Sequence, residues 1–209
     1  INTEVRRRLG GTHSAELLIR SYDFAAIEEL QERADWDAAG ALLAADAAAL
    51  EVAGADLILL CTNTMHRVAP AIEAAVSVPF LHIADATAAA VAREGVQHVA
   101  LLGTRYTMEE DFYRGRLSDH GLEVSVPDEA GRDLVHRVIF DELVRGEVRA
   151  DSRLEFIGII ERLVADGADG VIAGCTEIEL LVTPDDVSYP YFPTTTLHAM
   201  AAVDAALER

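Results

Sequence analysis

Residues 54–66 read Gly-Ala-Asp-Leu-Ile-Leu-Leu-Cys-Thr-Asn-Thr-Met-His, an apolar run that ends abruptly in nucleophilic and hydrogen-bonding side chains. Residues 167–177 read Gly-Ala-Asp-Gly-Val-Ile-Ala-Gly-Cys-Thr-Glu and repeat the pattern. The two cysteines of the sequence fall one in each copy. We predict that each copy is a buried parallel strand whose carboxyl end delivers a functional group to a shared cleft.

Length and composition limit what the chain can be. Its 209 residues suffice for one large domain or for two of about 100 residues each. The net charge of −19 argues against a nucleic-acid partner, and no apolar run approaches the roughly 18 residues that cross a membrane. All seventeen basic residues are arginine, so the lysine Schiff base of pyridoxal-phosphate enzymes is excluded and we expect no cofactor. Two cysteines do not make a disulfide framework, which favours a cytoplasmic location.

The apolar periodicity predicts strands and helices in alternation. The predicted strands are residues 14–21, 57–60, 80–83, 99–104, 122–126 and 170–173. The predicted helices are residues 37–52, 67–76, 85–93, 109–120, 132–145, 152–165 and 195–207. Residues 183–193 are predicted to be a loop because they contain three prolines.

This alternation favours an α/β fold with two pseudo-symmetric lobes, each a parallel sheet flanked by helices, and an active site in the cleft between them. We predict that residues 1–96 form the first lobe and residues 97–192 the second. Residues 193–209 are predicted to form a C-terminal helix that returns to the first lobe. The sequence starts inside a predicted helix, so we expect further residues upstream of Ile1.

The two copies of the repeat are offset by one residue. Cys61 is seven residues after Gly54, whereas Cys175 is eight residues after Gly167. The residue eight positions after Gly54 is Thr62. Because side chains alternate between the faces of an extended strand, we predict that Thr62 is the counterpart of Cys175 and that Cys61 points into the core.

A cysteine at one strand end and a proton-handling group at the other suggest proton transfer on opposite faces of a substrate carbon. The Cys175 thiol, with an ordinary pKa of about 8.5, could be converted into a thiolate base by nearby amide donors. Neutral donors near the strand ends could hold a carboxylate and stabilise an enolate-like intermediate. The candidates for substrate binding are Asn63, Thr64, Thr104, Thr107 and Thr176.

Simpler interpretations remain open for these residues. A cysteine in an apolar strand is often a small buried hydrophobic residue, and threonine and asparagine often cap helices. No spacing of histidine, cysteine and aspartate matches a zinc site, so we predict no metal. We interpret His66 as a donor that orients the loop and His82 as a core histidine.

Residues 61–66 (Cys-Thr-Asn-Thr-Met-His) and 174–178 (Gly-Cys-Thr-Glu-Ile) resemble the motifs of the aspartate/glutamate racemase family, and residues 101–107 extend the resemblance. The resemblance implies a pyridoxal-phosphate-independent isomerase of amino-acid metabolism, a homodimer, which racemises aspartate or glutamate by two-sided proton transfer at Cα. The family has a cysteine directly before Asn-Thr, where this sequence has Thr62. That feature is similar to the L-aspartate/glutamate-specific subgroup and implies Cys175 as the strong acid/base and Thr62 as the group on the opposite face.

The resemblance also implies a positive partner for the side-chain carboxylate of the substrate. Since the sequence has no lysine, an arginine is required, and Arg149 is our candidate for substrate binding. Arg153 is a second candidate near the same helix start, and Gln31 or Arg33 could contribute from the first lobe. Ordinary surface arginines would have the same sequence signature.

Two further points qualify the resemblance. The family begins with a strand and a Gly-Gly-Met-Ser loop that this sequence does not contain. The related maleate isomerases, hydantoin racemases and arylmalonate decarboxylases share the two-lobed frame and a catalytic cysteine.

An alternative from another class is a protein that binds a small acid without transforming it. A third interpretation is a purely structural pair of lobes.

Overall fold

A computed structural model describes residues 1–208, and the contacts between residues divide the chain into two compact units. The first unit comprises residues 1–60, residues 65–82 and the chain from residue 199 onward. The second comprises residues 61–64 and 83–198. Each unit contains a parallel sheet flanked by helices, so the predicted α/β fold class is confirmed.

The first unit contains a two-stranded parallel sheet, in which β1 is Ile58–Leu59 and β2 is Phe80–Leu81. A 3-10 turn at Thr64–Val68 leads into the helix that connects the two strands. The helices described in this unit are α1 Asn2–Leu9, α2 Phe24–Glu32, α3 Trp36–Val52 and α4 Ala69–Ala75.

The second unit contains a four-stranded sheet with the order β4-β3-β5-β6, in which all neighbouring strands are parallel. The strands are β3 His98–Gly103, β4 Glu123–Ser125, β5 Gly170–Gly174 and β6 Tyr191–Pro193. The remaining helices are α5 Ile83–Arg93, α6 Arg105–Glu109, α7 Asp111–Asp119, α8 Glu129–Asp141, α9 Ala150–Ala165, α10 Ile178–Leu181 and α11 Thr194–Leu207. Helix α11 starts in the second unit, and its residues from 199 onward belong to the first.

Both faces of the four-stranded sheet are buried. Along β3, Val99 and Leu101 pack into a cluster with α5 and α7, whereas Ala100 and Leu102 pack into a second cluster with α8 and α9. A parallel strand covered on both sides needs apolar residues at every position, which explains the continuous apolar run in its sequence.

Local signals in the sequence determine where several elements begin and end. The carboxylates of Asp23, Asp35 and Asp128 accept backbone N–H groups in the first turns of α2, α3 and α8. Gly54 and Gly167 adopt φ values of 103° and 113° directly before the repeated strands. Only glycine adopts this conformation without strain, so each Gly-Ala-Asp triplet ends a helix and starts a strand.

The prediction of a strand at residues 14–21 is wrong. The segment has no regular secondary structure, and Leu17, Leu18 and Ile19 are exposed. An apolar sequence becomes a strand only when a neighbouring strand accepts its hydrogen bonds, and the described sheet of this unit contains only β1 and β2.

Three other boundaries differ from the predictions. The predicted loop at 183–193 contains β6, which Pro190 and Pro193 concealed in the sequence. The predicted helix at 109–120 is two helices, α6 and α7, because Glu110 has an extended backbone. The sequence did not predict helix α2.

The division into lobes at residues 96 and 192 stays a prediction. The two units are defined by contacts between residues, whereas the predicted lobes are defined by the sequence repeat, and the two definitions need not give the same boundaries.

Glu4 provides a test of electrostatic stabilisation in the first unit. Its carboxylate accepts hydrogen bonds from Arg7 and Arg8 at 2.6–2.7 Å, and Arg8 also pairs with Asp204 of α11. These arginines lower the pKa of Glu4 from 4.5 to about 2. Because its pKa is lower in the folded protein, the ionised Glu4 carboxylate stabilises the folded state at pH values above 4.5, its ordinary pKa. This contribution is lost as the pH falls from about 4.5 to about 2.

We therefore expect Glu4→Gln to lower the free energy of unfolding at neutral pH. The difference in unfolding free energy between the variant and the parent protein should shrink as the pH falls from about 4.5 to about 2. Urea unfolding at a series of pH values measures the difference. The exposed Glu94 provides the control variant Glu94→Gln. A Glu4→Gln effect that does not change with pH would contradict the assignment.

Candidate active site

Three neighbouring parallel strands of the second unit end at one edge of its sheet. Gly103 of β3 pairs with Gly174 of β5, and Ala173 of β5 pairs with Pro193 of β6. The residues that follow these strand ends are Thr104, Cys175 and Thr194. Thr104 and Cys175 are candidates from the sequence, whereas Thr194 is not, because the sequence predicts a loop at residues 183–193, where β6 lies.

The backbones of β3 and β5 approach each other closely at this edge. A Cβ atom on Gly103 would lie 2.8 Å from the carbonyl oxygen of Gly174 and 3.1 Å from the Thr107 side chain. A Cβ atom on Gly174 would lie 2.7 Å from Leu101 Cδ1 and 2.9 Å from the carbonyl oxygen of Leu102. Glycine is therefore required on both strands at the positions that directly precede Thr104 and Cys175.

Three buried threonine hydroxyls form a chain beside the strand ends. Thr64 Oγ1 lies 2.9 Å from Thr104 Oγ1, which lies 3.2 Å from Thr107 Oγ1. Thr104 also caps α6 by accepting the Thr107 backbone N–H, so the capping interpretation is correct for this residue. Three hydroxyl protons serve two contacts between hydroxyls, so one of the three protons is not used within the chain.

Asn63 is held at the same edge by Thr194. Thr194 Oγ1 donates to the carbonyl oxygen of Ala173 at 2.8 Å, so it accepts the hydrogen bond from Asn63 Nδ2 at 3.0 Å. This fixes the orientation of the amide. Asn63 Oδ1 is buried and has no hydrogen-bond donor among the described residues. An unpaired buried acceptor costs free energy, which a ligand N–H group would recover.

Cys175 lies directly after β5 and is buried with 8% of its surface exposed. Its thiol donates to Glu177 Oε2 at 2.9 Å, and the Thr176 hydroxyl donates to the same oxygen at 2.7 Å. Burial raises the pKa of the Cys175 thiol well above its ordinary value, and the Glu177 carboxylate raises it further. The backbone N–H groups of Thr176 and Glu177 lower this pKa, but their effect is smaller than that of burial and the carboxylate. The predicted amide donors are present, yet the resting thiol is protonated.

The prediction that Cys61 is buried is wrong, because its side chain is exposed. Strand β1 ends at Leu59, so the alternation of faces that underlay this prediction does not extend to residues 61 and 62. Thr62 is half-buried. Its assignment as the counterpart of Cys175 thus depends on the repeat spacing and stays a prediction.

The arginines proposed for the substrate carboxylate have other partners. Arg149 pairs with Glu147 and lies 4.0 Å from Glu142, and its side chain is mostly exposed. The Arg153 Nε donates to the carbonyl oxygen of Leu181 at 2.6 Å. Binding of the substrate by Arg149 stays a prediction and would require it to exchange these carboxylates for that of the substrate.

In the first unit, the remaining sequence candidates form local contacts. The rings of His66 and His82 are buried, with centroids 4.3 Å apart. Gln31 Nε2 lies 3.1 Å from the sulfur of Met65, and Arg33 pairs with Glu29. Gln31 is therefore placed to hold the Met65 side chain.

The side chains and helices of residues 1–208 limit the class of site. No group of three or more histidine, cysteine, aspartate or glutamate side chains within this range is arranged to hold a metal ion. None of its helices has the length and apolar character that a membrane span requires. The side chains at the strand ends are thus a thiol, a carboxylate, an amide and several hydroxyls, which is a set suited to proton transfer and to binding a polar small molecule.

The family model for Asp/Glu/Hydantoin racemase matches residues 1–202. The chain belongs to this family. The chain is 51% identical to a Yersinia pestis protein of known structure that is provisionally assigned as an Asp/Glu racemase, with a TM-score of 0.92 over 99% of this chain and 90% of that one. It is 35% identical to PH1733, an aspartate racemase homologue from Pyrococcus horikoshii, with a TM-score of 0.84 over 98% and 90% of the two chains.

A curated relative extends the comparison with this racemase family. The broad specificity amino-acid racemase RacX of Bacillus subtilis is 25% identical over 165 residues, which are 76% of this chain and 68% of RacX. The resemblance inferred from residues 61–66 and 174–178 is confirmed at the level of the family. The family assignment supports racemase activity, an isomerase reaction on a small amino-acid substrate.

Proposed function

We propose that this protein racemises aspartate or glutamate without a cofactor, using Cys175 on one face of Cα and Thr62 on the other. The observation that carries the proposal is the buried Cys175 thiol at the strand ends that also hold Asn63 and Thr64. A racemase needs a strong acid/base on one face of Cα and binding groups that orient the amino acid around it.

The polar atoms at the sheet edge match the groups of an amino acid. Asn63 Oδ1 is a buried acceptor without a donor, which suits the substrate ammonium group. The spare hydroxyl proton of the Thr64, Thr104 and Thr107 chain suits a carboxylate oxygen, whose charge grows as Cα loses its proton. Direct contacts of Thr107, Thr176 and Arg149 with the substrate are part of the same proposal.

The reaction consists of two proton transfers at Cα. The Cys175 thiol first loses its own proton to solvent, and the thiolate then takes the Cα proton from one face, which leaves an enolate-like carbanion and a neutral thiol. The Thr62 hydroxyl gives a proton to the opposite face and regains one from solvent. Because a hydroxyl is a much weaker acid than a thiol, the two directions should differ in rate.

Relatives support the choice of substrate class. RacX is described as a broad-specificity amino-acid racemase and PH1733 as an aspartate racemase homologue. The specific choice of an acidic amino acid is our proposal and includes the need for an arginine such as Arg149. The cytoplasmic location and the homodimer stay predictions.

Exchange of the Cα proton with deuterated solvent tests this function. We expect exchange with aspartate or glutamate, at different initial rates for the two enantiomers, and we expect Thr62→Ala to slow it by about 10²-fold for the enantiomer that needs the Thr62 side. Mass spectrometry of the recovered amino acid measures the exchange. Thr62→Ser, which keeps the hydroxyl, is the matched control and should retain most of the activity.

Three results would contradict parts of this proposal. Equal exchange rates for both enantiomers would exclude the asymmetric pair of Thr62 and Cys175. Turnover of maleate, a hydantoin or a malonate without exchange on either amino acid would replace the proposed reaction with a related one. Binding of an acidic amino acid without any exchange would make the protein a binding module.

A further inference from the structure

His136 of α8 lies beside the start of α6 and has no part in the reaction proposed above. Its Nδ1 accepts the backbone N–H of Arg105 at 3.2 Å. This contact requires the neutral ring with its proton on Nε2, because a protonated ring has two donors and no acceptor. His136 therefore binds the chain at the residue that directly follows Thr104.

The contact fixes the peptide group between Thr104 and Arg105 at both of its polar ends. The carbonyl oxygen of Thr104 accepts the backbone N–H of Met108 at 3.0 Å, and the N–H group of Arg105 donates to His136. The N–H groups in the first turn of a helix have no acceptor within the helix, so this donor depends on a side chain or on water. His136 thus helps to set the backbone angle ψ of Thr104.

Thr104 is the central member of the hydroxyl chain at the strand ends. Its Oγ1 lies 2.9 Å from Thr64 Oγ1 and 3.2 Å from Thr107 Oγ1. A turn of the Thr104 backbone would displace its side chain and disturb both contacts together. A group that fixes the Thr104–Arg105 peptide therefore also fixes the hydroxyls that we assign to the substrate carboxylate.

Aromatic neighbours hold the half-buried ring of His136 in place. Its centroid lies 4.7 Å from that of the Phe140 ring and 6.2 Å from that of the Tyr106 ring. Strand β3, helix α9 and the turn Leu143–Arg145 also pack against α8, and they do so through the apolar cluster that contains Val135.

Charged groups act on the ring from two helices. They are Arg105 and Glu109 of α6 and Asp133 and Asp141 of α8. Burial and the Arg105 guanidinium lower the pKa of His136 below its ordinary value of 6.5, and they outweigh the three carboxylates. The ring is therefore neutral at neutral pH and can act as an acceptor.

We propose that His136 is a positioning residue whose neutral ring holds the Thr104–Arg105 peptide and whose protonation releases it. This inference rests on the proposed function, which assigns the Thr104 hydroxyl to substrate binding. A proton on Nδ1 turns that nitrogen into a donor that faces the donor N–H of Arg105, so the hydrogen bond is lost. Substrate binding should weaken as the pH falls through the pKa of His136, although the substrate carboxylates, which ionise near pH 4, keep their charge in this range.

Nuclear magnetic resonance of the 15N-labelled protein tests the hold on the peptide without a substrate. At about pH 7.5, Nδ1 of His136 should have the chemical shift of an unprotonated nitrogen and Nε2 that of a protonated one. As the pH falls, the His136 ring and the Arg105 amide should titrate with one midpoint below 6.5. His136→Asn identifies the ring among the seven histidines. The matched control is His120→Asn, which replaces an exposed histidine 3.0 Å from Asp85 and should leave the Arg105 titration unchanged.

Two replacements of His136 test its effect on the site. Asparagine places an acceptor oxygen close to the position of Nδ1 but does not titrate, whereas leucine fills the space and accepts no hydrogen bond. In the Cα exchange assay we expect the KM of the parent to rise about tenfold from about pH 8 to about pH 5.5. His136→Leu should have a KM about tenfold above that of the parent already at pH 8. His136→Asn should match the parent at pH 8 and keep this KM at pH 5.5.

A proton on Nδ1 in place of Nε2 at neutral pH would overturn the inference, and so would an Arg105 amide that titrates equally in His136→Asn. A KM that rises at low pH by the same factor in His136→Asn as in the parent would remove the positioning role. If neither aspartate nor glutamate exchanges, the racemase proposal fails, whereas the titration of the Arg105 amide still decides whether His136 holds the peptide.

Discussion

Replacing Cys175 with serine is expected to lower the rate of Cα deuterium exchange about 10³-fold for both enantiomers of the substrate. Serine preserves the size of the side chain and can still donate to Glu177 at the position where the thiol donates at 2.9 Å. Its hydroxyl is, however, far harder to ionise than a thiol, so the strong base on this face of Cα is lost. Mass spectrometry of the amino acid recovered from deuterated solvent measures the rate.

The second cysteine provides a matched control for this prediction. Cys61 is exposed, and its replacement by serine should change stability by no more than about 0.5 kcal/mol and leave exchange nearly unchanged. If Cys61→Ser abolished exchange while Thr62→Ala did not, the repeat would have been aligned wrongly and Cys61 would be the catalytic group. Urea unfolding of both variants separates a loss of chemistry from a loss of fold.

The strand ends were predictable because their signal is local. The Gly-Ala-Asp triplet, the apolar run and the following polar residues predicted β5, and the position of Cys175 followed from them. A parallel strand that is buried on both faces has a continuous apolar sequence. Polar residues follow its carboxyl end, because the chain leaves the buried sheet there. The same reasoning located Thr104 after β3.

The parts that failed depend on pairing, which a local pattern does not contain. Residues 14–21 have a strand-like sequence without a described partner strand, and β6 has a loop-like sequence with prolines but pairs with β5. The polar residues Thr194 to Thr196 after the short aromatic pair at 191–192 were the signal that could have indicated a strand end. The burial of Cys61 was mispredicted because alternation was applied beyond the end of β1.

The same dependence on context explains the thiol. From the sequence, amide donors near a strand end predicted an activated cysteine, but the balance between those donors, burial and Glu177 depends on distances that the sequence does not provide. In the structure, burial and the Glu177 carboxylate outweigh the two N–H groups and hold the thiol protonated. A thiol at rest in its acid form suits the return of a proton to Cα, whereas removal of a proton from Cα requires the thiol to ionise first.

Gly174→Ala is expected to destabilise the protein, because Gly174 lies where β3 and β5 approach each other closely. The new Cβ would lie 2.7 Å from Leu101 Cδ1 and 2.9 Å from the carbonyl oxygen of Leu102, and the latter belongs to the backbone of β3. The two strands must separate to relieve the contact. Overpacking of this kind costs about 1–3 kcal/mol of unfolding free energy, measured by urea unfolding.

The displacement from Gly174→Ala should also reach the chemistry, because Cys175 is the next residue. A shift of about 1 Å at a reacting group can lower a rate by about 10²-fold, so exchange should fall even at temperatures where the variant is fully folded. Gly115→Ala in α7 is the control, since its Cβ would lie 3.8 Å from the Asp111 side chain, an ordinary contact. Equal stability and equal exchange rates for the two variants would show that β3 and β5 are not fixed at this edge, and the strand ends could then not position Cys175 beside Thr104 and Asn63.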